Sequence, residues 1–88
     1  MKVLVTGATG MVGSRLVLEL VEAGYDVRAI YRDKQRIGQF IENVQYYGAN
    51  ATQLVNNVEW VEADLLDYTQ LEKALNGIEI VYHCAAMV

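Results

Sequence analysis

Thr6-Gly7-Ala8-Thr9-Gly10-Met11-Val12-Gly13 carries the densest chemical information in this chain. Its three glycines follow a short apolar run, Lys2-Val3-Leu4-Val5, and lead into a segment of helical pattern. A glycine-rich turn of this kind offers free backbone N–H groups at the positive end of a helix dipole, where a phosphate can sit. Each glycine has its own task. The first makes the tight turn, the second lets a pyrophosphate approach the backbone, and the third lets the helix pack closely on the strand. The strand before and the helix after give the triplet its weight as a signal. The competing reading is a structural turn that holds no ligand, but three glycines are a costly way to start such a helix.

Further groups fall at the ends of later apolar runs. Arg32 follows Val27-Arg28-Ala29-Ile30-Tyr31 and has Lys34 and Arg36 as cationic neighbours. An acidic residue there would accept hydrogen bonds from a ribose. An arginine instead pairs with a 2′-phosphate through its bidentate fork, which favours NADP over NAD. Stacking on adenine or plain solvation are the other readings of Arg32, and Asp33 remains able to turn toward the ribose. Asp64-Leu65 follows the third apolar run. Asp64 is placed to accept from an adenine amino group with Leu65 against the ring; capping of its own turn is the simpler role. His83 and Cys84 lie together near the end, with Ala85 and Ala86 after them. One histidine and one cysteine fall short of the four ligands of a structural metal site, so no metal is expected. Neighbours on a strand point to opposite faces, which disfavours His83 as a base for Cys84. A packed, hydrogen-bonded His83 is the expected outcome.

Placing these groups requires alternating strands and helices. The pattern predicts strands over about 2–6, 26–31, 58–62 and 78–84. The first helix spans about Met11 to Ala23, with Val12, Leu16 and Leu20 on one face and Gly24 as its stop. The second carries Ile37, Phe40, Ile41 and Val44 at the i, i+3, i+4, i+7 spacing of an amphipathic helix and ends at Gly48. Gly48 to Asn57 reads as a polar connection with a short turn around Gln53-Leu54-Val55. Asp67 caps the third helix, which turns Leu71, Ala74 and Leu75 inward and stops at Gly77. The alternation gives an α/β, Rossmann-like parallel sheet with three helices. Right-handed crossovers set the strand order 3-2-1-4. The switch between strands 1 and 4 then lies beside the glycine turn, where open α/β sheets bind ligands.

Composition bounds the function. The 88 residues make a single small domain, 53% hydrophobic, with net charge −4. No basic block points to nucleic acid. No apolar run reaches the roughly 20 residues of a membrane span, and with Met1-Lys2-Val3 leading straight into the first strand no signal peptide is expected. A lone cysteine excludes an internal disulfide and fits a cytoplasmic location. No Gly-Lys-Ser/Thr follows the turn, which argues against a P-loop.

Together, Thr6-Gly7-Ala8-Thr9-Gly10-Met11-Val12-Gly13, Asp64-Leu65 and His83-Cys84-Ala85-Ala86 resemble the extended short-chain dehydrogenase/reductase family. Arg32 and the strand before it resemble its dihydroflavonol-reductase and NAD-dependent epimerase/dehydratase branch. The resemblance implies a nicotinamide dinucleotide held by Gly7, Thr9, Gly10, Met11 and Val12, with Gly13 packing the helix onto the sheet. It implies Arg32 at the adenosine ribose, Asp64 and Leu65 at the adenine, and Ala85 and Ala86 near the cofactor ribose and phosphates. The family's catalytic Tyr-x-x-x-Lys pair has no match. Four residues after each of the six tyrosines stand Ala29, Gln35, Asn50, Ala51, Glu72 and Ala86. No catalytic residue is therefore assigned. The expectation is the N-terminal, cofactor-binding portion of a larger oxidoreductase, epimerase or dehydratase, inactive alone. A non-catalytic dinucleotide-binding sensor or scaffold is the alternative. Self-association is expected, either through strand 4 as an apolar edge or through the sheet face left uncovered beside it.

Overall fold

The β-branched runs near residues 3, 27, 58 and 80 form the sheet, as residues that fit a pleated, buried surface. A computed structural model describes residues 2–84. Its elements are β1 (Lys2–Thr6), α1 (Met11–Glu22), β2 (Asp26–Tyr31), α2 (Arg36–Tyr46), α3 (Ala51–Asn56), β3 (Val58–Glu62), α4 (Tyr68–Ala74) and β4 (Ile80–His83). The strands pair in the order β3-β2-β1-β4, all parallel, as the alternation predicts.

Side chains alternate across the sheet and split the interior in two. Val3, Val5, Val27 and Ala29 face one side, with Val17, Leu18, Phe40, Val44 and Leu54 packed over them from α1, α2 and α3. Leu4 and Ile30 face the other, against Ala63 and Ala74. The chain reverses direction across the sheet between β3 and β4, so a right-handed crossover carries α4 to this second face. Trp60 on β3 bridges the larger cluster. Its ring meets Phe40 edge-on with centroids 4.9 Å apart, and its Nε1 donates to Val55 O at 3.2 Å.

Several boundaries differ from the sequence expectation. Four helices form, not three. The segment expected as a polar connection contains α3, because Asn50 Oδ1 accepts from Gln53 N at 3.1 Å and Ala51 and Leu54 reach the core. On α1 the inward face is not the Val12-Leu16-Leu20 stripe. Gly13, Ser14, Val17, Leu18 and Leu20 are buried, whereas Val12 is exposed. Val12 stands in the first turn, beyond the end of the sheet it would have to cover. Leu75 also stays exposed, since it caps the C-terminus of α4 rather than continuing its inward face. β4 starts at Ile80 rather than Ile78, and Ile78 packs into the smaller cluster. β4 is one of the two edge strands among the described residues, and its Ile80 and Val81 are exposed.

Arg28 ties the smaller layer to the sheet. Its Nη1 donates to Ala74 O and Asn76 O, both at 2.7 Å, just where α4 leaves its carbonyls unpaired. Its Nε meets Glu59 Oε1 at 3.0 Å, and Lys2 Nζ joins the same carboxylate at 3.1 Å. The Arg28 hydrogen bond, outweighing partial desolvation and aided by Lys2, holds the Glu59 carboxyl below its ordinary value of 4.5. A carboxyl depressed in the folded state stabilises the fold above its unfolded pKa and loses that contribution as pH falls through the folded value. Glu59 is 41% exposed, so solvent screening limits the effect to about 1 kcal/mol or less. Glu59→Gln should therefore lower unfolding free energy above about pH 5, with the two proteins converging at more acidic pH. Urea titrations across pH check this; a gap independent of pH contradicts it.

Candidate nucleotide-binding site

β1 ends at Thr6, and the chain turns at Gly7, whose φ of +67° lies in the left-handed region closed to most side chains. Gly10 N donates back to Gly7 O at 3.2 Å and tightens the turn. Gly10 is then the N-cap of α1 in extended conformation, and it offers no side chain to the helix. The first intrahelical bond runs from Ser14 N to Gly10 O at 2.9 Å. The Met11, Val12 and Gly13 amides thus stand at the first turn as N–H groups without a helical partner. The first turn holds no acidic residue that would compete for them.

Gly13 explains why α1 lies where it does. A Cβ at this position would stand 2.0 Å from Gly7 O and 2.9 Å from Ala8 Cα, both backbone atoms. Only glycine lets the helix start this close to the turn. Gly10 differs, since a Cβ there would meet Gly7 O at 3.5 Å, an ordinary contact. The fold itself does not require glycine at position 10.

A cavity of about 1030 Å³ opens at the C-terminal ends of the strands. Gly7, Thr9 and Gly10 form one wall. Arg32, Asp33, Lys34 and Arg36 enter from the β2–α2 connection. Glu62, Ala63, Asp64, Leu65 and Leu66 close the side after β3, and Cys84 lies beyond β4. Six residues expected from sequence therefore share one wall system: Gly7, Thr9, Gly10, Arg32, Asp64 and Leu65. Gly13 stands behind the turn, buried. Met11 and Val12 do not line the cavity; their side chains are 61% and 53% exposed at the helix start. Their contribution is expected through the backbone amides of the first turn. Ala85 and Ala86 lie outside the described residues.

The carboxylates are partly engaged. Asp64 Oδ1 accepts from Leu66 N at 2.9 Å, and Asp64 N donates to Gln70 Oε1 at 2.8 Å. Asp64 thus closes its own turn and lines the cavity as well. Asp33 does likewise, accepting from Gln35 N at 3.0 Å through Oδ1. Glu62, at the last position of β3, is a cavity residue that the sequence reading did not single out. Its place one residue before the β3–α4 turn was the available signal. His83 is hydrogen-bonded, its Nδ1 lying 2.7 Å from Thr6 Oγ1, but it is exposed rather than packed. Among the described residues, no cluster of three or more His, Cys, Asp or Glu side chains stands ready for a metal. No helix among them is long and apolar enough to cross a membrane.

Comparison with known proteins places this geometry. Residues 3–88 match the profile of the NAD dependent epimerase/dehydratase family. The chain belongs to that family. It is 38% identical over 86 residues to protein TIC 62, chloroplastic, of Arabidopsis thaliana, covering 93% of this chain and 13% of that protein. It is 40% identical over 83 residues to dihydroflavonol 4-reductase of Zea mays, covering 94% of this chain and 22% of the enzyme. The structure of an isoflavone reductase superposes with a TM-score of 0.74 at 26% identity, covering 99% of this chain and 27% of that one. The chain thus spans between an eighth and a quarter of the curated relatives' length. The extended short-chain dehydrogenase/reductase resemblance holds along the chain, and the family is one that binds NAD(P).

The two helix-start glycines should separate in a stability measurement. Gly13→Ala forces backbone apart and should cost about 3 kcal/mol. Gly10→Ala should cost under about 1 kcal/mol. Chemical denaturation of both variants checks the difference; equal losses would contradict the seating of α1 described above.

Proposed function

We propose that this chain is the dinucleotide-binding portion of an NAD(P)-dependent oxidoreductase, epimerase or dehydratase of the extended short-chain dehydrogenase/reductase type. The observation that carries the reading is the uncapped start of α1, opening beside a cavity of about 1030 Å³. In this reading the diphosphate lies against the Thr9, Met11 and Val12 amides, with Gly10 giving it close access to the backbone. Gly7 supplies the turn, and Gly13 holds α1 close behind it. The small cost expected of a Cβ at Gly10 supports the same reading, because a side chain there would meet ligand rather than protein. Asp64 and Leu65 face the adenine through the free Asp64 oxygen and the apolar side chain. Ala85 and Ala86 are assigned to the cofactor ribose and phosphates by family analogy alone.

The residues present fit such a group. The cavity has room for a dinucleotide, apolar walls at Ile30, Ala63 and Leu65, and cations at Arg32, Lys34 and Arg36. When bound, the nicotinamide supplies a hydride acceptor or donor for a substrate alcohol or ketone. This chain's own residues bind and orient; none among them is assigned to proton transfer. The absence of any Tyr-x-x-x-Lys within these 88 residues favours a second reading, a non-catalytic sensor or scaffold that holds the same dinucleotide. In-frame sequence coding for Tyr-x-x-x-Lys after residue 88 would decide for the enzyme.

Arg32 makes NADP the proposed ligand. No ion pair engages it among the described residues, so its fork remains available for a 2′-phosphate. Isothermal titration should give tighter binding of NADP than of NAD. Arg32→Ala should weaken NADP about tenfold while changing NAD about twofold at most. Equal wild-type affinities would contradict the NADP preference, and binding of neither would contradict the proposed function.

A further inference from the structure

Asn43 lies in the middle of α2, buried to 6% exposure, where asparagine is a poor helix former and an uncommon interior residue. All of its amide hydrogens are committed. Nδ2 donates to Thr9 O at 3.1 Å and to Ser14 Oγ at 3.1 Å. Its Oδ1 accepts from Gln39 Nε2 at 3.1 Å. Ser14, fully buried on α1, passes its hydroxyl hydrogen to Ala8 O at 2.9 Å. Two consecutive carbonyls of the glycine-rich turn, Ala8 O and Thr9 O, are therefore held from the interior by one linked pair of side chains.

We propose that Asn43 is a positioning residue for the ligand-facing amides of the turn, acting with Ser14. In a trans peptide the carbonyl and the following N–H point in opposite directions. Anchoring Ala8 O on Ser14 sends Thr9 N–H away from the interior, on the side where Thr9 lines the cavity. Thr9 N has no acceptor among the described residues. Anchoring Thr9 O on Asn43 fixes the next plane and leaves Gly10 N–H on Gly7 O. The chemistry selects asparagine over its near neighbours. An aspartate would set a second acceptor against Thr9 O and against a Ser14 oxygen whose hydrogen is already given to Ala8. A leucine fills the space but releases both carbonyls inside a buried site. The same side chain joins the turn to α2, whose first residue, Arg36, lines the opposite wall of the cavity. One buried amide thus sets the spacing of the two walls.

This inference rests on the proposed dinucleotide reading, and the test separates the two. Dissociation constants for NADP and for ADP-ribose are measured for wild type, Asn43→Leu, Ser14→Ala and Val44→Ala, with thermal midpoints alongside. Val44 is a fully buried neighbour on α2 whose apolar side chain makes no hydrogen bond to the turn, so it reports plain loss of packing. Asn43→Leu should weaken both ligands about tenfold and Ser14→Ala about fivefold. Val44→Ala should change them about twofold at most, despite an equal or larger drop in midpoint. Affinities that follow the midpoints across all variants, or an unchanged Asn43→Leu, overturn the positioning role and leave the proposed function standing. Should Asn43→Leu fail to fold, Ser14→Ala against Val44→Ala decides alone. A wild type that binds neither ligand removes the proposed function, and this inference with it.

Discussion

The contact between α1 and the turn before it sets the geometry of everything else. At Gly13 the helix passes so close to Gly7 that even a methyl group would stand 2.0 Å from a carbonyl oxygen. This approach seats Val17, Leu18 and Leu20 on the sheet beside Val3 and Val5. It also fixes where the first turn of α1 points, at the C-terminal end of β1 and at the mouth of the cavity. The packing of the core and the placing of the amides are consequences of one close approach. A substitution that relaxes it would therefore disturb stability and site together.

The two faces of the sheet are unequal, and the site benefits from the asymmetry. Three helices cover one face, while α4 alone packs on the other. Arg28 compensates by joining β2, β3 and the end of α4 through one guanidinium. The change of side occurs between β1 and β4, and the cavity opens at the C-terminal ends of the strands. Cations and carboxylates line it side by side. Asp33 and Asp64 each spend one oxygen on their own turn, which lowers their reach as competing anions. In the proposed function, that balance lets a doubly charged diphosphate approach the amides while Arg32, Lys34 and Arg36 remain available.

Much of this was legible in the sequence because local rules agreed with the fold. Short apolar runs alternating with helical segments, the Gly7-Gly10-Gly13 spacing and the i, i+3, i+4, i+7 pattern over Ile37 to Val44 each point to one arrangement. The strand order followed from crossover handedness. What escaped depended on tertiary context. The six residues of α3 are too short for periodicity to distinguish, and their signal was the Asn50 cap with Ala51 and Leu54 on one face. Val12 matched the helical stripe but lay beyond the end of the sheet. Leu75 matched the α4 stripe but sat at its cap. Within the site, Gly7, Thr9, Gly10, Arg32, Asp64 and Leu65 were recognisable because loops after strands carry them. Glu62 and Asn43 were not. Glu62 is read from sequence as the end of a strand, and Asn43 as a polar residue on a helix; only the fold places one in the cavity wall and the other behind the turn.

The account turns on the diphosphate meeting the backbone at the start of α1. A crystal structure of the protein with NADP bound tests this most directly. The expected result is diphosphate oxygens about 3 Å from the amide nitrogens of Thr9, Met11 or Val12. A dinucleotide bound with its diphosphate elsewhere on the protein, and that turn in contact with solvent alone, would contradict it.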